Sequence, residues 1–488
     1  MKLTDKRAWM ALLLMPVFFS CATYNQSMQA YYDNMRTGQY DKALEKLESN
    51  NLIKKDRNKL LYMLEAGRIY RLKNDFVTSN IYFNQADQFI ESTSKSASDL
   101  LVGNLVNPMH QVYRGEDFEQ FMLHYYKALN YSALGQPDEA VVEARRISLS
   151  TTAQSDKFAN KENRYSKDAF SLNLQGMIYE MAGDMNNAFI AYRNAADLYL
   201  AAGNSYYGVS LPAQLQQDLL RSAAAMGFTE EQARYEKLFK VSLQKTTAGA
   251  GELILFMEEG QAPVKEERSY MLSNAGTGGF FNFTDEYGYH SSLPFNHHDY
   301  HISDTKLSSI RTIRVAVPTY RVNYPNPASK SISVNGNVYT PQVAQNLNSV
   351  AVSILKERFL TELANALARQ LTKKLVEKGT QAAAESIAKK KDSDDDKDSD
   401  AEKEKKRKKR EENAKAVGEA AGFVMNMINT VTEKADTRNW QSLPAFISYV
   451  RIPLAAGENT ITLQQNGVSK TITVTAGKGL QLLGASVN

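Results

Sequence analysis

The sequence predicts an α+β fold: an N-terminal α-solenoid of helical hairpins, followed by a mixed domain with an antiparallel β-sheet and a long helical hairpin. Three observations lead there. A pattern of Gly, Ala and aromatic residues recurs through residues 25–240. After Lys245 the helical periodicity gives way to short alternating runs bounded by Gly, Pro and Asn. A charged run at 389–412 separates two further helical stretches. With 488 residues the chain is too long for one ordinary core. The expected divisions are 1–20, 21–245, 246–341, 342–435 and 436–488. An apolar content of 43% with 10% aromatics is that of a folded protein.

Residues 1–20 have the layout of a secretory signal. Lys2, Lys6 and Arg7 make a basic start, an apolar run follows from Ala8 to Phe19, and Ser20 is small. The run is short for a bilayer span. Cys21 is the sole cysteine, so no internal disulfide can form. Its position resembles the acceptor of a bacterial lipobox, where the thiol forms a thioether to lipid. Phe18 and Phe19 depart from the usual Leu and small residues upstream, and an ordinary signal peptide or anchor helix with an incidental Cys is the alternative. By resemblance to lipoprotein sorting, Ala22 in place of Asp implies the outer membrane. The lack of an acidic cluster after Cys21 implies its periplasm-facing leaflet. Without residues 1–20, which hold three basic and one acidic side chain, 55 basic and 53 acidic groups remain of the 58 and 54. A mature charge of +2 gives no reason to expect nucleic acid as a partner.

The repeats follow. The segment 168–198 sets Gly176, Tyr179, Gly183, Ala188, Tyr192 and Ala195 at the spacing of a tetratricopeptide repeat (TPR). Small residues let the two helices of a hairpin approach, aromatics fill the space between hairpins, and Gly183 permits the tight turn. The pattern recurs at Gly67, Tyr70, Phe76, Phe83 and Ala86, and again at Ala128, Tyr131, Gly135, Ala140 and Ala144. A degenerate first copy carries Gly38, Tyr40 and Ala43, and a fifth begins after Pro212 and uses Gly227. The alternative is a non-repeating helical bundle. Polar inserts near 91–117 and 148–167 read as loops. The resemblance to TPR arrays implies a concave face that binds peptides or protein segments. The tyrosines Tyr125, Tyr126, Tyr131, Tyr165, Tyr179, Tyr192 and Tyr199 read as packing before recognition.

Past the solenoid, GELILFMEEG (251–260) reads as a buried strand, and TIRVAVPTYRV (312–322) as a strand that Pro318 assigns to an edge or a bulge. Asn335-Gly336 between alternating runs signals a hairpin. A helix is expected from Gln342 to Lys389, with Val350, Ile354, Phe359, Leu360, Leu363, Leu367 and Leu371 on its apolar stripe, and a second from Ala414 to Thr432. Between them, 389–412 reads as a disordered charged tip. Electrostatic contact with anionic lipid or glycan through 403–410 is the competing reading. The last fifty residues read as a β-meander. GELILFMEEGQAPVKEER, RVAVPTYR and ADTRNWQSLPAFISYVRIPLAAGENTITL resemble blocks of a poorly characterised family of bacterial TPR-containing outer-membrane lipoproteins. The likeness implies an envelope setting and carries no known chemistry.

One constellation invites a site. His290, His297, His298 and His301 fall within YHSSLPFNHHDYH with Asp299, and His297 with His301 could face one metal from a helix. Gly288 and Pro294 argue for loop instead, and HExxH, GxSxG, P-loop and dinucleotide fingerprints are missing. Glu258/Glu259 and Glu266/Glu267 read as ordinary carboxylates, and Trp440 as a plug of the β-domain core. The sequence therefore points to a non-enzymatic, lipid-anchored scaffold or adaptor of the envelope. It would bind protein partners through the solenoid and the membrane through Cys21, and would need no cofactor. An accessory lipoprotein of secretion or polysaccharide export is the alternative, with a metal-dependent enzyme using the His290–His301 loop behind it.

Overall fold

The computed structural model describes residues 23–94, 108–157, 165–244, 249–274, 280–285, 290–295, 312–390 and 434–486. Its first half is a run of antiparallel helix pairs: α1 (Tyr24–Arg36) with α2 (Tyr40–Ser49), α3 (Lys59–Leu72) with α4 (Phe76–Ser94), α5 (Asp117–Ala133) with α6 (Pro137–Lys157), α7 (Ala169–Met181) with α8 (Met185–Ala201), and α9 (Ala213–Ala225) with α10 (Thr229–Phe239). Each pair is joined by three residues whose middle member has positive φ: Gly38, Asn74, Gly135, Gly183 and Gly227. Four of the five are glycine because a left-handed residue costs other side chains strain. The helices α7 and α8 start on side-chain caps. Asp168 accepts from the Ser171 amide at 3.1 Å, and Asp184 from the Asn187 amide at 3.1 Å. Residues 148–157, expected as loop, continue α6. Thr151 and Thr152 return their hydroxyls to the carbonyls of Ile147 and Ser148 one turn back, so these two polar side chains are satisfied within the helix. A two-residue ladder, β1 (Ser205–Tyr206) with β2 (Val209–Ser210), separates α8 from α9.

The remaining strands are β3 (Gly251–Glu259), β4 (Val264–Asn274), β5 (Phe280–Asp285), β6 (His290–Pro294), β7 (Thr312–Arg321), β8 (Lys330–Val334), β9 (Asn337–Tyr339), β10 (Gln342–Asn346), β11 (Phe446–Leu454), β12 (Glu458–Gln465), β13 (Val468–Thr475) and β14 (Leu480–Ser486). They form three four-stranded sheets ordered β10-β11-β3-β14, β13-β12-β8-β9 and β6-β5-β4-β7. In the first, β3 lies between antiparallel β11 and parallel β14. Pro318 sits on the edge strand β7, and Asn335-Gly336 turns β8 into β9 with both φ positive.

Two expectations need correction. Gln342–Asn346 is strand, paired with β11, and the helix α11 begins only at Leu347 and runs to Lys390. The C-terminal strands are not a meander. Pairing with β3 takes β11 and β14 into the first sheet, while β12 and β13 join β8 and β9 in the second. Burial decides this, because β3 is apolar on both faces and can be satisfied only as an inner strand. The second helix of the expected hairpin (414–432) and positions 391–412 of the charged insert lie outside the described residues.

Alternation along β3 builds the layers. Ile254 and Phe256 face the helices and join one core with them, while Leu253, Leu255 and Met257 face the second sheet and pack with Ile332, Val334, Ile461 and Leu463. The order is helices, first sheet, second sheet. The third sheet buries Tyr270, Phe281, Phe283 and Val315 against Leu363, Leu367 and Leu371 of α11.

Candidate functional site

Within the hairpins, a Cβ added at Gly67 would lie 2.5 Å from the Phe83 ring, and one at Gly176 2.5 Å from the Tyr192 ring. The rings press onto bare backbone, which sets the helix separation. Ala140, Ala188 and Ala195 are fully buried, and Tyr70 stacks on Tyr82 with centroids 5.5 Å apart. Gly135 and Gly183 hold the turns, and Tyr179 is buried.

The face made by the first helices of the pairs is not open. The chain's own first sheet covers it. Every residue of α5 from Asp117 to Asn130 except Gln120 is buried, as is α7 from Ala169 to Tyr179. Phe256 meets Tyr125 and Phe170 edge-on, and Trp440 packs against Phe83 and Tyr126. Trp440 thus belongs to the helix–sheet junction and not to a separate β-domain core. Arg68 donates to Glu258 at 2.5 Å, and Tyr125 donates to the same carboxylate at 3.0 Å. Arg451 spans Glu180 at 2.7 Å and Glu252 at 2.6 Å. Lys265 and Arg358 both reach Glu116, the latter at 2.6 Å.

A buried strap between α11 and β11 completes this junction. Residues 437–452 are buried without interruption. Arg438 is chelated by Asp436 and donates to the carbonyls of Arg57, Pro108 and Gln111 at 3.0–3.2 Å. Its guanidinium thereby ties three separate backbone carbonyls together, two of which, those of Arg57 and Pro108, also accept the amides of Tyr113 and Gln111. Glu119 accepts the Trp440 amide at 2.7 Å and the Tyr113 hydroxyl at 2.7 Å. Glu65 accepts the hydroxyls of Tyr31, Tyr32 and Ser442. Burial raises both carboxyls to about 7; neighbouring Glu116 adds to the rise at Glu119, and the hydrogen bonds oppose it at both. At Glu116 burial pushes the same way, but Arg358 and Lys265 overcome it and hold the group at about 2.

The outward face, made by the second helices, remains accessible. Between α4 and α6 it holds a cavity of about 340 Å³, lined among others by Asn84, Gln88, Lys127, Glu139, Val142 and Arg146. At its base Lys127 donates to Asp87 at 2.6 Å and lies 2.8 Å from Glu143. Glu143 also pairs with His124 Nδ1 at 2.9 Å. Ligand atoms of Asp87, His124 and Glu143 lie within 4.8 Å of one another, a spacing that suits a metal. The Lys127 ammonium already bridges the two carboxylates, so a cation would have to displace it. Ser150 Oγ stands 3.4 Å from His124 Nε2, which gives a Ser–His–Glu order. Ser150 lies inside α6, where its amide and those around it are spent on helix bonds, so the oxyanion donors of acyl transfer are lacking at this place.

Cys21, His297, His298 and His301 lie outside the described residues. His290 does not join a cluster in the described part: it is exposed on β6 and bonds Thr284 Oγ1 at 2.8 Å. The sequence reading passed over Glu258 and Glu259, which face the helices and the second sheet respectively. Glu259 lies 3.0 Å from Lys330. Their signal was two acids closing an apolar strand buried on both faces, where a charge needs a partner. Asp87, His124, Lys127 and Glu143 come from three helices, and no local spacing unites them.

No protein-family model matches the chain, and no curated protein does. Among solved structures it is similar to the crystal structure of MamA protein, at 17% identity over 45% of this chain and 96% of that one, with a TM-score of 0.24. A likeness of that size carries no argument about mechanism.

Proposed function

We propose that the chain is a non-enzymatic scaffold of the bacterial cell envelope, anchored by lipid on Cys21, whose TPR-like solenoid presents its outward face to protein partners. The observation that carries this reading is the coverage of the first-helix face by the chain's own sheet. A solenoid whose inner face is filled has its second helices left for contact, and here they bear the polar cavity beside Val142 and several exposed apolar side chains. The ionic cluster at the cavity floor is neutralised internally, which suits a rigid platform better than a reacting centre.

A photo-crosslinkable residue at Gln88, in living cells, tests the surface. Capture of an envelope protein from Gln88 but not from exposed Val338 on β9 is expected, and capture should fall with Val142→Asp. Equal labelling from both positions would remove the outward face from the proposal. The anchor has its own test: Cys21→Ser should shift the protein from the membrane fraction to the soluble one.

A further inference from the structure

We propose that the outward face of the solenoid pairs with a second copy of this chain about a twofold axis passing near Val142. The inference rests on the reading of that face as a protein-contact surface and names its occupant. Numbering each hairpin from its left-handed turn residue puts equivalent positions in register in the first four; in the fifth, Gln232 and Glu236 at the buried positions are only half-buried, while Arg234 is exposed. Five residues on, Ala43, Ser79, Ala140 and Ala188 are all buried; nine on, Leu47, Phe83, Ala144 and Tyr192 are buried too. Seven residues on, the side chains face outward and read Glu45, Ile81, Val142, Ile190 and Arg234 along the five hairpins.

The three apolar members are 52%, 40% and 36% exposed. One exposed Ile or Val is unremarkable, but the same outward position of three successive repeats makes a continuous stripe. The stripe is palindromic in kind, with an acid at one end and a base at the other. A twofold axis at the third hairpin sets Val142 on Val142 of the other copy, Ile81 on Ile190, and Glu45 on Arg234, twice over. That is the self-complementarity an isologous interface requires. Glu45 and Arg234 carry only exposed local counter-ions, Lys46 at 3.3 Å and Glu231 at 3.2 Å, which compete weakly. Helices about 10 Å apart carry the stripe over about 40 Å, a length compatible with the roughly 800 Å² per partner of a standard interface.

Thiol crosslinking of the full chain in its own membranes tests the geometry, because Cys21 is its one native cysteine. With a short bis-maleimide, Val142→Cys should give a dimer of identical chains. The pair Ile81→Cys with Ile190→Cys should do so as well, whereas Ile81→Cys alone and the unaltered chain should not. Glu45→Arg or Arg234→Glu should each lower the Val142→Cys yield several-fold, and the two together should restore it. Dimers from Ile81→Cys alone, or none from Val142→Cys, would overturn the twofold arrangement. In the latter case, capture of a different envelope protein from Gln88 would leave the scaffold reading standing, and failure of both would remove the two together.

Discussion

Glu65 and Glu119 hold the segment Trp440–Ser442 against the helices, and both stay protonated to about pH 7 because burial disfavours their charge. Their folded pKa lies above the ordinary carboxyl value of 4.5, so the folded chain binds their protons more tightly than the unfolded one. Their contribution is full below about pH 4.5 and is lost as pH rises through 7, by about 3 kcal/mol per group. Glu116 and Glu180, both held at about 2, act in the opposite sense and lose their contribution as pH falls from 4.5 through 2. At Glu180 burial is overcome by hydrogen bonding to Arg221 and by the charges of Arg451 and Arg221. Chemical denaturation against pH should therefore find a maximum near pH 4–5, and Glu65→Gln should flatten the decline between 4.5 and 7. An unchanged slope in that variant would show Glu65 ionised in the fold. Glycines make a second residue-scale prediction. Gly176→Ala drives a methyl into the Tyr192 ring and should cost about 1–3 kcal/mol by overpacking. Gly183→Ala meets nothing within 4 Å and should cost about 1 kcal/mol, through its φ of 83° alone.

β3 is the element on which the layers meet, and its two terminal acids face opposite ways. Glu258 enters the helical layer and bonds Arg68, and Glu259 enters the second sheet near Lys330. Removing one partner strands a buried charge, so Arg68→Ala should destabilise by about 3–5 kcal/mol. Arg68→Met with Glu258→Leu removes both charges and should recover most of that loss in a urea titration. If the double variant were as unstable as the single, the ion pair would hold the strand in place beyond its charge balance. α11 shows a different logic: Leu363, Leu367 and Leu371 at four-residue steps bury against the third sheet, as their spacing implies.

At the scale of the whole molecule, the helices and the first sheet form one core, with Tyr125, Phe170, Phe256 and Tyr449 inside it. The helix pairs and that sheet should therefore unfold in a single calorimetric transition. Residues 23–244 expressed alone would expose the first-helix face, an apolar surface holding Tyr125, Tyr126 and Phe170, together with the charge of Arg68 stripped of its partner Glu258. That fragment should aggregate or bind a hydrophobic dye, and supplying residues 249–486 should relieve it. Two separate transitions, or a soluble dye-negative fragment, would mean that the sheet merely rests on the helices.

Periodic features were legible in the chain alone. The Gly–aromatic contacts of Gly67 with Phe83 and Gly176 with Tyr192, the turns at Gly135 and Gly183, the edge position of Pro318 and the Asn335-Gly336 hairpin each depend on residues close in sequence, where spacing specifies geometry. Local patterning was misleading at Gln342–Asn346, because pairing with β11 overrides a helical pattern once the strand is an edge beside a buried neighbour. Tertiary structure alone decided what covers the first-helix face of the pairs. Arg68 with Glu258, Arg451 with Glu180 and Trp440 with Tyr126 join residues 190 to 314 positions apart, and nothing in a local pattern encodes which distant surface wins such a face. The sequence by itself determined the repeating hairpins; the fold determined that their inner face is taken by the chain itself and that the outward one stays exposed.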